Sequence, residues 1–344
     1  MLIDIMCRVN GKKGEIMKKK ILTLVMITIL ALGLLTGCGN SDKVKNGQAT
    51  NMVCIALQPS AAFIPMMITR QTGDLEKALK EQGVSVVWYD FESGPPMNDS
   101  IGKGETDLCL YGDVPTVSAI EQGCVREVVG ITAQAADSYA IVVLKDSPIK
   151  SAADLKGKKV ATNLGSTGHN MVDKYLSTAG LAFNDIELVS ATPADMPYML
   201  RNGQVDAISL WEPSITKLVD AGDCRILAQG SDCGLEGTNT IIGRKDYCET
   251  NPKVVETVLK EYKKAADNIN NTSDETWKYV AKYLGLDVSQ VKSMLPKYNF
   301  TVKISQKDID SLNDTIDFLS KIGKLDKKYD ITNYCNSKYY DGTY

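Results

Sequence analysis

GETDLCLYGDVPTVSAIEQG, Gly104 to Gly123, and GQVDAISLWEPSITKLVDAG, Gly203 to Gly222, have equal length and align without a gap. Gly104 falls on Gly203, Asp107 on Asp206, Asp113 on Glu212, and Gly123 on Gly222. Each segment reads as a short buried strand, an acidic turn with proline, and a helix closed by glycine. An offset of 99 residues is too long for a solenoid, so the repeat predicts two similar α/β lobes.

The flanks extend the parallel. NMVCIALQPSAAFIPMMITRQTG and KKVATNLGSTGHNMVDKYLSTAG each read as strand, polar turn, helix and glycine, while VSVVWYDFESG and IELVSATPAD each supply a following strand. Connections of this length allow right-handed crossovers and predict a largely parallel sheet in each lobe. Ligands on such sheets gather at the carboxyl ends of the strands, so the repeated turns should face one cleft. The chain enters the middle segment through ITAQAADSYAIVVLKDSPIKSAADLKG and leaves through CRILAQGSDCGLEGTNTIIG. Two such passages imply an inserted lobe joined by two crossing hinge strands. The expected boundaries are 52–136 and 234–344 for lobe 1 and 137–233 for lobe 2. The Lys/Glu-rich tail from Asn251 should pack back on lobe 1.

The first 51 residues lie outside this fold reasoning. MKKKILTLVMITILALGLLTGCGN, from Met17, has a basic start, a short apolar run and a small-residue end, the pattern of an export signal. Its LLTGC end, Leu34 to Cys38, resembles a bacterial lipobox, which implies cleavage before Cys38, lipidation of that thiol and attachment to the outer face of the cell membrane. Residues 1–37 then form an upstream start and signal, and 38–51 a polar tether. Removal of residues 1–37 takes away six basic and two acidic side chains, leaving 33 and 40 and a formal charge of −7. An acidic chain without basic clusters argues against nucleic acid as a partner. Beyond Cys7 and Cys38 stand seven cysteines with no CxxC and no neighbouring His, which argues against zinc. Their odd number leaves at least one free thiol or an intermolecular bond, and Cys109 reads as a small core residue. No cofactor or metal is expected, and a monomer is.

The motifs SGPP (Ser93–Pro96), GDVP (Gly112–Pro115), KDSPIKSAADLKGKKVA (Lys145–Ala161), GSTGHN (Gly165–Asn170) and VDAISLWEP (Val205–Pro213) resemble those of the aliphatic-sulfonate-binding proteins of bacterial ABC importers. These belong to the type II periplasmic-binding-protein group, which also serves taurine, nitrate and thiamine-precursor uptake. The resemblance runs from about Val53 to Gly243. It implies a two-lobed α/β type II periplasmic-binding-protein fold, a small anionic solute such as an organosulfonate, and an ABC permease with its ATPase as partner. Gly168 stands where the GSSAHN-like turn of that branch carries Ala, a change expected to widen the anion site, and Glu212 stands where it carries Asp.

The only histidine of the chain lies in this turn. A helix opening at Ser166 or Thr167 presents unpaired amides and the positive end of its dipole. Two hydroxyls and a Gly168 that admits close approach suit an anion, although Ser166 or Thr167 would serve equally as a plain helix cap. The resemblance favours binding. His169 reads as a ligand contact, a packing residue or, least of all, a base, since no GxSxG elbow accompanies it. Asp113 and Glu212 are either acids at helix N-termini or partners for an ammonium or hydroxyl. Trp211 is either a wall for an alkyl chain or a core residue. Gln58, Ser60 and Gln134 are turn and hinge polars that the fold would aim at the same cleft. Two other classes stand beside the binding protein. A fungal thiamine-pyrimidine synthase shares the fold, but its reaction needs a donated His and a Cys-rich segment absent here. A membrane-anchored sensor would use the same lobes.

Overall fold

The computed structural model describes residues 51–122 and 126–340. Cys38, the signal run, most of the tether, Gly123 and Cys124 fall outside that range. Eleven strands alternate with helices: β1 (Met52–Leu57), β2 (Ser85–Asp90), β3 (Leu108–Gly112), β4 (Arg126–Gln134), β5 (Tyr139–Leu144), β6 (Lys159–Thr162), β7 (Glu187–Ser190), β8 (Ala207–Trp211), β9 (Cys224–Gln229), β10 (Thr238–Arg244) and β11 (Asn299–Phe300). The helices are α1 (Ile64–Thr72), α2 (Asp74–Lys80), α3 (Gly94–Gly102), α4 (Asp113–Glu121), α5 (Thr167–Ser177), α6 (Met196–Arg201), α7 (Ser214–Asp220), α8 (Lys245–Thr250), α9 (Pro252–Asp267), α10 (Asp274–Leu284), α11 (Val288–Met294) and α12 (Gln306–Lys321).

The strands form two sheets, and each defines a lobe. The larger has the order β11-β4-β10-β3-β1-β2 and the smaller β7-β6-β8-β5-β9. In both, side chains alternate between two apolar layers, as the period of two in a buried strand requires. Ile55, Leu108 and Leu110 face the layer built with α1, α9 and α10, while Ala56, Cys109 and Tyr111 face that of α3, α4 and α12. In the smaller lobe Ile141, Val160 and Ala207 pack toward α5, and Val142, Ala161 and Ile208 toward α6 and α7.

The repeat is visible atom by atom. A carboxylate oxygen of Asp107 accepts the amide of Cys54 at the start of β1, and one of Asp206 accepts the amide of Lys159 at the start of β6, both at 2.8 Å. The reciprocal backbone bonds, from the Asp107 and Asp206 amides to the carbonyls of Cys54 and Lys159, are also both 2.8 Å. β3 therefore pairs with β1 as β8 pairs with β6, parallel and in the same register. Gly104 and Gly203, at φ of 73° and 66°, make the matching left-handed turns that glycine takes at least cost.

The sheets are mixed rather than largely parallel. β1, β2 and β3 are parallel, as are β6, β7 and β8. The strands at the crossings run the other way: β10 is antiparallel to both β3 and β4, and β5 to both β8 and β9. The reason is geometric. Entry into the second lobe starts at the cleft, where the parallel strands end, so β5 must run outward, and β10 does the same on return.

The passages lie side by side, with the Ala135 amide donating to the Gly237 carbonyl at 3.1 Å. Gly237 has φ 64°, and a Cβ there would stand 2.4 Å from the carbonyl oxygen of Ala135. Only a glycine admits that approach. The tail packs on the larger lobe through α9 and α12 and adds β11 beside β4.

Candidate functional site

Strand β6 ends at Thr162, and the turn that follows delivers α5 to the cleft. Ser166 takes the N-cap position with extended backbone (φ −105°, ψ 166°), but its hydroxyl does not cap the helix. It donates instead to the Asn163 carbonyl at 2.6 Å. The His169 amide bonds the Ser166 carbonyl, whereas the amides of Thr167 and Gly168 make no hydrogen bond within the described residues. These are the unpaired donors that the first turn of any helix leaves over.

Across the cleft stands the front of α4. The Thr167 hydroxyl donates to Asp113 Oδ1 at 2.5 Å, the Thr315 hydroxyl donates to Oδ2 at 2.7 Å, and the Val114 amide donates to Oδ1 at 2.8 Å. Asp113 is buried, which pushes its pKa up, while the three donors oppose the shift. Beside it the Tyr139 hydroxyl donates to Asn239 at 3.0 Å. The chain folds this way locally because small residues surround the contact. A Cβ on Gly112 would lie 2.3 Å from Thr167 Oγ1, and one on Gly94 would lie 2.5 Å from the Pro115 ring. The fronts of α3, α4 and α5 thus converge on one point between the lobes.

Glu212 makes the mirror-image crossing. It is fully buried; its Oε1 accepts the Lys297 ammonium at 2.7 Å and the Thr216 hydroxyl at 3.0 Å, and its Oε2 accepts the Thr216 amide at 2.9 Å. Both oxygens are therefore committed, Oε2 to the front of α7 and Oε1 to both α7 and the larger lobe. Further ties join the lobes in this closed arrangement: Lys321 to Asp173 at 2.8 Å, Gln290 to Asp220 at 2.6 Å, and Lys174 to Asp314.

The remaining candidates divide. Gln58 is buried and its side-chain oxygen has no hydrogen-bond partner. Ser60 caps the short turn Ala61–Phe63 by accepting the Ala62 amide at 3.3 Å. Gln134 is held within the larger lobe by Asp308 at 2.8 Å and Asn299 at 3.0 Å. Trp211 packs into the α5 side of the smaller lobe with Tyr139, Met171 and Leu235 and is 7% exposed. At Gly168 an added Cβ would meet the Ser209 carbonyl at 3.1 Å and Thr162 Oγ1 at 3.2 Å, so the missing methyl relieves packing of α5 on the sheet. The expected widening of the anion site does not follow, because that bond points toward β8.

His169 lies between Phe183 of its own lobe and Phe318 of α12, with ring centroids at 5.0 and 5.3 Å. Neither ring nitrogen has a hydrogen-bond partner. Burial lowers its pKa to about 4, with nearby Asp173 raising it and Lys324 lowering it further. A base whose folded pKa is depressed stabilises the fold fully above its unfolded value of about 6.5 and loses that contribution as pH falls toward 4. His169→Gln is therefore expected to flatten the acid limb. Relative to the variant, the parent should lose about 2 kcal/mol of unfolding free energy between pH 7 and about pH 5, read from urea titrations at each pH.

Sequence reasoning passed over several members of this cleft. Asn170 is 1% exposed with both side-chain polar atoms unbonded, and it was legible only as part of GSTGHN. Lys297 and Thr315 belong to a tail that carried no motif, and Tyr139 and Asn239 read as strand residues.

Two α/β sheets, a closed cleft crossed by two passages, and helix fronts that meet across it define the two-lobed periplasmic-binding-protein class of fold. The NMT1/THI5 like family matches residues 79–276, more than half of the chain, and this chain belongs to that family. An aliphatic sulfonates-binding protein of Escherichia coli (strain K12) is 32% identical over 270 residues, covering 78% of this chain and 84% of its own. A protein of the same name from Bacillus subtilis (strain 168) is 27% identical over 316 residues, 92% and 93% of the two chains. Among solved structures, the alkanesulfonate-binding protein SsuA from Xanthomonas axonopodis pv. citri bound to MOPS has a TM-score of 0.76 at 25% identity, covering 84% of this chain and 99% of that one.

Proposed function

We propose that the protein is an extracytoplasmic solute-binding lipoprotein of an ABC importer. It captures a small organosulfonate, an alkanesulfonate or a taurine-like compound, between lobe 1 (52–136 and 234–344) and lobe 2 (137–233) and delivers it to a permease. The observation that carries this reading is the front of α5. Two free amides, at Thr167 and Gly168, and a cluster of hydroxyls stand where the lobes meet, and the relatives at this fold are named for sulfonates. A sulfonate needs hydrogen-bond donors rather than a counter-charge, and a helix front supplies them.

The proposed ligand-binding set is Ser166, Thr167, Gly168 and His169 from α5 and the turn before it, Asp113, Trp211 and Glu212 from the repeated turns, and Gln58, Ser60 and Gln134 from the larger lobe. Asp113 favours the taurine-like member of the class. Its carboxyl, 2.5 Å from the Thr167 hydroxyl at the α5 front, offers an acceptor to the ammonium that only the taurine-like member carries. The role is binding without catalysis: among the described residues neither nitrogen of His169 has a hydrogen-bond partner, so it activates no nucleophile.

A calorimetric panel of taurine, alkanesulfonates, nitrate and pyrimidines tests the assignment. One organosulfonate should bind at least about tenfold more tightly than nitrate or any pyrimidine. Tighter binding of either of the latter overturns the sulfonate reading. Lipid attachment is tested separately by detergent phase partitioning. Wild type should enter the detergent phase, whereas Cys38→Ala should be released or stall as the uncleaved precursor; wild type in the aqueous phase rejects the anchor.

A further inference from the structure

A cavity of about 510 Å³ opens among the C-terminal elements of the larger lobe. Its walls include Ile269, Trp277 of α10, Lys292 of α11, Leu295, and Tyr298 and Phe300, which flank and begin to form β11. The volume falls in the range of small-molecule sites. Its chemistry is specific in two respects. The Tyr298 and Phe300 rings are stacked at 5.5 Å and 9° and form an aromatic pair on one side of the cavity. Lys292 Nζ stands 5.5 Å from the Trp277 ring centroid, and among the described residues no carboxylate pairs with it. The molecule provides an ammonium over an aromatic floor without its own anion.

We infer that this cavity is a second ligand site, for an anion with a flat aromatic or short alkyl body. The aromatic pair takes the body by apolar contact, and Lys292 takes the anionic head. Its placement also gives it a route to the cleft. Leu295, Pro296 and Tyr298 line the cavity on either side of Lys297, and the Lys297 ammonium holds Glu212 of the smaller lobe at 2.7 Å. An occupant that shifts this turn acts on a tie between the lobes, so binding at the two places should be coupled.

The probe is 2-naphthalenesulfonate, and the readout is the three tryptophan indole N–H signals of the nitrogen-15-labelled protein, with Trp277 assigned from Trp277→Phe. The Trp277 signal should shift saturably. Lys292→Glu, an exposed change that leaves the core intact, should weaken that titration by about tenfold, and Lys292→Gln by less. The Trp211 signal reports the cleft and should still titrate in both variants, with its midpoint moved because the two sites are coupled. A Trp277 signal that stays fixed while Trp211 titrates overturns the second site, as does a Trp277 titration unchanged by Lys292→Glu. Loss of the Trp211 response alone would count against the proposed cleft and leave this cavity standing.

Discussion

Thr167→Pro is expected to weaken binding of the cleft ligand by about a hundredfold, measured by calorimetry with the tightest organosulfonate of the panel. Thr167 is the first helical residue of α5, a position where proline is well tolerated because its missing N–H would have no intrahelical acceptor. The preceding Ser166 is already extended at φ −105° and ψ 166°, the conformation that a following proline requires. The substitution therefore removes one free amide donor, and with it the hydroxyl tie to Asp113, while the helix stays in place. Each donor toward a charged acceptor contributes about 1.5 to 3 kcal/mol. Thr167→Ser should retain most of the affinity, and Thr167→Ala should fall between. If Thr167→Pro binds as the parent does, the helix front is not the anion site. Ser166 is the less informative position, since its hydroxyl is engaged with the Asn163 carbonyl.

Lys297→Met is expected to lower the unfolding free energy by about 3 kcal/mol, the lower end of the range for breaking a buried pair because Lys297 keeps some solvent contact. The asymmetry of the pair sets the size. Glu212 is fully buried, so removal of the ammonium leaves a carboxylate held only by the Thr216 hydroxyl and amide. Glu212→Gln should cost less, since the amide oxygen can still accept the Thr216 amide, its NH2 can donate to the Thr216 hydroxyl, and the partly exposed Lys297 can turn to water. In the double variant Lys297→Met/Glu212→Gln most of the loss should return, because no unpaired charge remains. Urea denaturation gives the cycle. Small-angle scattering gives the conformational part: Lys297→Met should increase the radius of gyration of the ligand-free protein as the lobes separate. Equal stability of parent and Lys297→Met would mean that the tie contributes nothing.

Much of the architecture was legible because it rests on local rules. The twenty-residue repeat fixed two strand–turn–helix units, and Asp107 and Asp206 form the same bonds at the same places in both lobes. Short-period patterning also located Cys109 in the core. The direction of β5 and β10 was not legible, because strand polarity depends on where the chain enters a sheet, and an alternating apolar run reads the same in either direction.

The candidate site divides along the same line. The residue types at the front of α5, two hydroxyls, a glycine and a histidine before an amphipathic run, were set by sequence, and so was the unpaired state of the first amides, which follows from helix geometry alone. Partnership was set by tertiary structure. The Ser166 hydroxyl turns back to Asn163, the Thr167 hydroxyl crosses to Asp113, and His169 enters an aromatic slot completed by Phe318. Glu212 finds its cation 85 residues away, in a tail whose composition announced only packing. Sequence determines which donors and acceptors a turn carries, because those are covalent. Only the closed fold decides which of them are consumed, since a hydrogen bond or ion pair between distant residues exists once the chain has brought them within about 3 Å and removed the competing water.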